Sequence, residues 1–167
     1  MRIRGLQLGR LISELYAITS LPALDLRPLG YTVADAYKLF AELGADGRAA
    51  YQRLNLSDFA TPVVFGPLLA IVAGPLLRRA RLPTWFNLAP LAYSACDVLE
   101  NLAVRHLLAA YPDERPAVAA LASVFTQLKY LGNIPAFAAV LLPLLALIPG
   151  VGRWVGKAGV KRRRKAK

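Results

Sequence analysis

The chain has 167 residues, of which 56% are hydrophobic, and carries a formal net charge of +11. This length holds one domain, and the mean hydropathy of +0.42 is above that of an ordinary globular domain, so a helical bundle in a membrane is the first interpretation. The single cysteine, Cys96, and the single histidine, His106, exclude an intrachain disulfide, a CxxC redox centre, a histidine-rich zinc site and bis-histidine haem ligation within the chain.

The first apolar segment, residues 6–26, is interrupted by Arg10 and Glu14. Basic residues ahead of an apolar stretch are also typical of a secretory signal peptide, but Glu14 would then lie inside the apolar part, and no clear A-x-A cleavage site follows. We therefore predict a retained membrane helix here, with a cleaved signal peptide as the alternative.

A more polar region, residues 28–57, comes next, and we predict that it lies on the outer side of the membrane. Thr32 is suited to cap an amphipathic helix around residues 32–43, because apolar residues recur there at helical spacing, and Gly44 suits its C-terminal end. The Asp-Gly pair at residues 46–47 predicts a turn.

Three longer apolar segments complete a predicted four-span domain over residues 1–152. A run of 19 residues (59–77) and another of 23 (130–152) contain no charge, and each is long enough to cross a bilayer as a helix. Ser57 or Asp58 is a suitable N-cap for the second span, which gives Asp58 a structural role. Prolines are tolerated inside membrane helices, and residues 132–135 are the expected kink. The predicted spans lie near residues 6–26, 58–77, 84–110 and 117–148.

Basic segments alternate with acidic loops along the chain. Three basic residues lie at the start, three in the loop of residues 78–81 and eight from Arg153 onward, whereas the two other loops hold most of the acids. This positive-inside pattern predicts that both termini are cytoplasmic, and we expect a bacterial inner membrane. Residues 153–167 form a basic cytoplasmic tail that we expect to bind the anionic headgroups of membrane lipids, with a nucleic-acid-binding arm as the less favoured alternative.

Polar residues interrupt the third and fourth spans at helical spacing. The four polar residues of the third span begin at Tyr93 and stand at i, i+4, i+7 and i+8. The four of the fourth span begin at Thr126 and stand at i, i+3, i+4 and i+7. Each set therefore lies on one face of its helix. Counting from Ala109 and Val118 places the charged members roughly 14 to 18 Å below the outer surface, and Glu14 reaches a similar depth. In an apolar setting the two faces should meet. The sets are Tyr93, Asp97, Glu100 and Asn101, and Thr126, Lys129, Tyr130 and Asn133.

These polar residues form the predicted site. Ionisable residues inside a membrane usually serve a function, although a buried ion pair can also fix helix packing. Three carboxyls accompany one lysine at this level, which predicts a group that binds a proton. We expect no metal and no cofactor, because the lysine competes for the carboxylates. The predicted ligand or proton pocket comprises Glu14, Tyr93, Asp97, Glu100, Asn101, Lys129, Tyr130 and Asn133.

A series of short motifs runs through the chain: Gly30-Tyr31, Leu43-Gly44, Gly47-Arg48 and Tyr51, followed by Asp97-x-x-Glu100-Asn101. Their order resembles that of uncharacterised small bacterial four-helix membrane proteins with a GY…LG..GR..Y segment and a D-x-x-E-N helix. The resemblance covers most of residues 25–135. It implies the four-span layout and a focus on the D-x-x-E-N residues, and it implies no substrate.

The predicted fold is therefore all-α, an integral membrane four-helix bundle with an extra amphipathic helix on the outer side. The leading predicted function is a small carrier or a lipophilic-ligand-binding protein. A membrane-embedded acid/base enzyme acting on a lipid and a noncatalytic membrane assembly subunit are the alternatives, and a homo-oligomer is compatible with each. Small multidrug transporters share four helices and a glutamate in the first, but the strong Lys/Arg bias of this chain separates it from them.

Overall fold

The computed structural model describes residue 13 and residues 17–148. This part of the chain is all-helical and has no strand, which confirms the predicted fold class at that level. Two short 3-10 turns accompany the helices, at Leu24–Leu26 and Thr84–Asn87. The long helices are α1, Val33–Asp58; α2, Ala60–Arg79; α3, Leu88–Ala110; and α4, Pro116–Leu147.

Helix α1 begins where the sequence predicts. The Thr32 hydroxyl accepts a hydrogen bond from the backbone N–H of Asp35, and the Asp35 carboxylate accepts one from the backbone N–H of Thr32, which forms a capping box. The hydrogen bonds from Thr32 hold the pKa of the Asp35 carboxyl below its usual value. The predicted N-cap is therefore confirmed.

Helix α1 bends at Gly44, and the chain then continues as helix. Gly44 has φ +61°, which ends the first half of α1 as predicted, but the turn predicted at residues 46–47 is wrong because both residues are helical. Gly47 is buried against Leu43, where a Cβ atom would approach the Leu43 Cβ to 3.0 Å. The guanidinium of Arg48 donates to the Phe40 carbonyl (2.8 Å), which gives a partner to a carbonyl near the bend. Gly47 thus serves close packing instead of a turn.

The junction of α1 and α2 is nearly continuous helix. Phe59, between them, has helical backbone angles, and no side chain caps the start of α2, so the N-cap role predicted for Asp58 is wrong. Because the preceding turn is helical, an N–H of α2 finds a main-chain partner, as in the bond from Val63 to the Phe59 carbonyl (3.4 Å). The Asp58 carboxylate instead faces α3, at 3.4 Å from the side-chain nitrogen of Asn101.

An outer core of apolar side chains lies at one end of the helices. Residues 19–23 are not helical, so the first predicted span, which was expected to reach residue 26, ends at Ile18 within the described residues. Thr19 redirects the chain by accepting a hydrogen bond from the backbone of Leu21 (3.1 Å), and Leu24 is then fully buried. The buried members of this outer core are Ala23, Leu24, Ala36, Tyr37, Leu39, Phe40, Leu43, Ala50, Tyr51, Val104, Leu107, Leu108, Ala119 and Ala122.

Two helical stretches among the described residues are long and apolar enough to cross a membrane. One is the stretch over α1 and α2, Val33–Arg79, and the other is α4. Helix α3 is interrupted by Asp97, Glu100 and Arg105 and does not meet the same criterion. The continuous helix through residues 132–135 also shows that the proline at position 135 does not break α4.

Gly30 provides a test of how the segment before α1 is held against α4. Its φ is +79°, and an added Cβ atom would lie 2.6 Å from the Ser123 hydroxyl, which accepts the backbone N–H of Tyr31. We expect Gly30→Ala to combine backbone strain of about 1–3 kcal/mol with a similar cost of overpacking. The measurement is the free energy of unfolding in detergent.

Gly44→Ala is the matched control, because Gly44 also has a positive φ but an added Cβ atom would meet nothing within 4 Å. We expect it to show the strain cost alone, about 1–3 kcal/mol. Equal destabilisation by the two substitutions would contradict the close contact between residue 30 and α4.

Candidate functional site

Three charged side chains meet between α3 and α4. The Lys129 ammonium lies 3.1 Å from Oδ1 of Asp97 and 2.6 Å from Oε2 of Glu100. The two acids stand three residues apart on α3, so both face the same side of the neighbouring helix. The side chain of Glu100 is 0% exposed, that of Asp97 5% and that of Lys129 11%. We call these residues the polar triad, and the sequence predicted all three.

Glu100 is the most firmly held member of the polar triad. The hydroxyl of Thr126 donates to Oε1 of Glu100 (2.7 Å) and also lies 3.0 Å from the Ala122 carbonyl, one turn earlier on α4. Both carboxylate oxygens of Glu100 therefore have a polar neighbour on α4, which a fully buried charge requires. Asp97 has fewer such partners and lies on the more exposed side of the triad.

Asn101 follows Glu100 directly, one turn after Asp97 on α3, and contacts α1 instead of α4. Its side-chain oxygen accepts a hydrogen bond from Asn55 (2.9 Å), and its nitrogen lies 3.4 Å from the Asp58 carboxylate. Sequence reasoning did not place Asn55 or Asp58 at the site. A usable signal was present, because Tyr51, Asn55 and Asp58 stand at i, i+4 and i+7 on one helix face.

The turn Leu24–Leu26 brings a further acid to the site. The Tyr130 hydroxyl donates to the backbone carbonyl of Asp25 (3.1 Å), and the Tyr51 hydroxyl lies 3.5 Å from the Asp25 carboxylate. Tyr51 also accepts the backbone N–H of Leu24 (2.9 Å), and burial raises the pKa of Tyr51 well above its usual value, so its hydroxyl stays protonated. No helical spacing links Asp25 to the triad, so sequence periodicity did not reveal it.

The remaining predicted residues lie at the margin of the site. Tyr93 is half-buried one turn before Asp97, and Asn133 is half-buried one turn after Lys129. The side-chain oxygen of Asn133 is buried without a hydrogen-bond partner in the described part of the chain. Tyr130 places its ring centroid 5.7 Å from the Lys129 ammonium. Glu14 lies outside the described residues.

Acids outnumber bases around the triad. Asp25 and Asp58 both interact electrostatically with it, so four carboxyl groups accompany the single ammonium of Lys129. Within residues 17–148 and residue 13, no group of three or more His, Cys, Asp or Glu side chains is arranged to hold a metal ion. The excess of acidic groups is suited to a proton or an organic cation, and the ammonium is suited to an anionic group.

Comparison with known proteins finds no family model that matches the chain and no similar curated protein or solved structure. The resemblance to small bacterial four-helix membrane proteins therefore stays a prediction.

The polar triad predicts a specific pattern of stability in variants. Lys129→Met alone leaves two buried carboxylates without their ammonium and should lower the free energy of unfolding by about 3–5 kcal/mol. Combining it with Glu100→Gln should recover much of that loss, with a coupling energy of about 0.5–3 kcal/mol. We expect weaker coupling to Asp97→Asn, because Asp97 is farther from the ammonium. The measurement is a double-mutant cycle from melting in detergent.

Lys38→Met is the control, because Lys38 is an exposed lysine on α1 and its loss should change stability by no more than about 0.5 kcal/mol. Additive effects for both acid partners of Lys129 would show that the triad does not act as one buried charge cluster.

Proposed function

We propose that this protein is a multi-pass integral membrane protein in which the polar triad lines a pocket for a proton or a small lipophilic ligand, as in a small carrier or a lipophilic-ligand-binding protein. Four spans form the bundle in this proposal, and about half of the first, residues 6–26, falls outside the described residues. The basic tail, residues 153–167, also lies outside them and is proposed to bind anionic headgroups in the cytoplasm.

Exposed aliphatic side chains support a bilayer around α2 and the facing parts of α3 and α4. Exposed apolar patches of many neighbouring residues mark contact with a membrane or a partner. Arg78, Arg79 and Arg81 follow directly at one end of this surface, as expected for a cytoplasmic loop. Exposed members of this surface include Val63, Val64, Leu68, Ile71, Leu88, Leu131 and Ile134.

The contacts of α3 with α1 support a position of the triad nearer the outer surface than counting from Ala109 suggested. The last residues of α3 pack in the outer core, which supports an outer membrane surface below Ala109. Asp97 lies 13 residues after Thr84, a rise of about 20 Å at 1.5 Å per residue, so with Thr84 at the inner surface about 10 Å of a 30 Å hydrocarbon core lies above the triad. We therefore propose that the triad lies in the outer half of the membrane.

The observation that carries the proposal is the unequal burial of two acids on one lysine. Glu100 is enclosed and held from two sides, as a structural anchor would be, whereas Asp97 and Lys129 retain some exposure. A buried ion pair adds little stability over an apolar pair of similar volume. Glu100 thus anchors the triad, whereas Asp97 and Lys129 are buried but not fully enclosed, which suits them better to contact with a bound proton or ligand than to packing alone.

The membrane-embedded enzyme is the second candidate, and the outer position of the triad favours it. At that depth Asp97 can act as a general acid or base near the ester groups of a lipid, while Lys129 orients an anionic headgroup. Under the third candidate, a noncatalytic assembly subunit, the same contacts fix only helix packing.

Cysteine labelling tests the proposed topology. On a Cys96→Ala background, Asp46→Cys and Lys165→Cys should react with a membrane-impermeant reagent from opposite sides, because position 46 is exposed beside the outer core and position 165 is in the basic tail. Labelling of both positions from the same side would contradict the four-span proposal.

Neutral substitution of the acids tests the function. Lipid and small-molecule mass spectrometry of the purified protein identifies what copurifies, and a pH-sensitive dye in proteoliposomes follows proton movement. For a carrier, we expect Asp97→Asn and Glu100→Gln to abolish coupled proton movement. For an enzyme, they should abolish turnover with the lipid still bound.

Glu114→Gln is the matched control, since Glu114 is an exposed acid in the loop between α3 and α4. It should leave proton movement and bound molecules unchanged. If the triad variants lose only stability and keep the bound molecules and proton movement of the original protein, the pocket proposal fails and the assembly subunit is favoured.

A further inference from the structure

A groove of about 300 Å³ opens between α1 and α3, on a different face from the contact of α3 with α4. Its α1 residues stand at i, i+3, i+4 and i+7 and therefore share one helix face. We call it the outer groove, and it is lined by Ala49, Gln52, Arg53, Leu56 and Arg105.

The two arginines of the outer groove have no acidic partner in the part of the chain that the structure describes. Neither guanidinium of Arg53 or Arg105 makes an ion pair or a side-chain hydrogen bond among the described residues. Other arginines on this side of the molecule are engaged, since Arg48 donates to the Phe40 carbonyl and stacks on Tyr111, and Arg115 pairs with Asp113. Two guanidiniums on one groove thus present fixed positive charge that no acidic side chain within residues 17–148 pairs with.

Both helices place an exposed leucine one turn from the arginine, in the same direction. Leu56 follows Arg53 by three residues and is 57% exposed, and Leu102 precedes Arg105 by three and is 50% exposed. The helices run antiparallel here, because Asn55 contacts Asn101 and the hydroxyl of Ser94 contacts the Pro62 carbonyl. Both steps from arginine to leucine therefore lead toward the exposed aliphatic surface of α2.

We propose that the outer groove binds the phosphate of an anionic phospholipid in the outer leaflet, with the two guanidiniums on the phosphate and the acyl chains along Leu56 and Leu102. Arginine suits this ligand because its planar fork donates two parallel hydrogen bonds to phosphate oxygens. Gln52 adds an amide donor within the groove. The proposal depends on the membrane placement given under Proposed function, and not on the chemistry of the triad.

The positive charge of the outer groove is complementary to the negative charge of a lipid phosphate. The order of arginine and leucine along each helix also matches the order of headgroup and acyl chains in a lipid. A phospholipid has its charge at the membrane surface and its chains below, which matches arginine above leucine on both helices. A soluble anion would bind the two arginines but would make no contact that requires the two exposed leucines.

Native mass spectrometry of the full chain released from nanodiscs tests the proposal, with phosphatidylglycerol and phosphatidylcholine in equal amounts. We expect the protein to retain phosphatidylglycerol preferentially. Replacing both arginines, as Arg53→Gln with Arg105→Gln, should lower that preference about tenfold or more, since each basic residue contributes about one kcal/mol near a membrane surface. Arg53→Lys with Arg105→Lys should restore part of the preference by keeping the charge.

The control removes the same charge elsewhere, as Lys38→Gln with Arg115→Gln, because both side chains are exposed and neither lines the groove. It should leave the lipid preference unchanged. An equal loss in the control and the groove variant would show that net charge alone attracts the lipid, and the groove proposal would then be wrong.

Two further outcomes separate this proposal from others. Displacement of phosphatidylglycerol by millimolar inorganic phosphate would show a soluble-anion site and overturn the lipid proposal, whereas resistance to phosphate supports it. Arg53→Gln with Arg105→Gln should leave proton movement in proteoliposomes unchanged, because neither arginine contacts the triad, so the groove proposal and the triad pocket can fail independently of each other. If positions 46 and 165 are labelled from the same side, the proposed membrane placement is wrong, and both proposals lose their basis.

Discussion

The contact of Lys129 with two carboxylates is the interaction on which the arrangement of the helices depends. Apolar side chains on neighbouring membrane helices can slide past one another at little cost, because lipid solvates them as well as protein does. A buried ammonium has no such freedom, since any shift of α3 against α4 separates it from Glu100 or Asp97. The triad therefore sets the register of the two helices, and Thr126 reinforces it from the adjacent turn.

Two kinds of packing meet at the level of the triad. The outer core buries aromatic and aliphatic residues such as Leu24 and Phe40 away from water, so the hydrophobic effect stabilises it. Beyond the triad, helices α2 and α3 approach through Gly66, where a Cβ atom would meet the Pro90 carbonyl at 2.7 Å. Close approach of this kind is typical of membrane helices, which associate through small residues.

Helical periodicity predicted the elements and the central contact but not the parts held by turns. The spacing of Asp97, Glu100 and Lys129 was sufficient to place them together, and Thr32 was recognisable as a cap because its mechanism is local. Asp25 reaches the site through a 3-10 turn whose direction is set by tertiary packing. The sequence predicted the end of a helix at Gly44. The return to helix after Gly44 depends on close packing at Gly47, which no local sequence pattern predicts.

The uncapped junction at Phe59 joins α1 and α2 end to end. Because α1 continues into α2 with helical backbone angles, residues 45–79 behave as one rod of about 50 Å at 1.5 Å per residue. One end of the rod is embedded in the outer core through Tyr51, and the other carries Arg78 and Arg79. The contact between Asn55 and Asn101 lies about 15 Å from the first end of the rod and about 36 Å from the other at 1.5 Å per residue, so this contact fixes the rod to α3 closer to the outer core than to the basic residues.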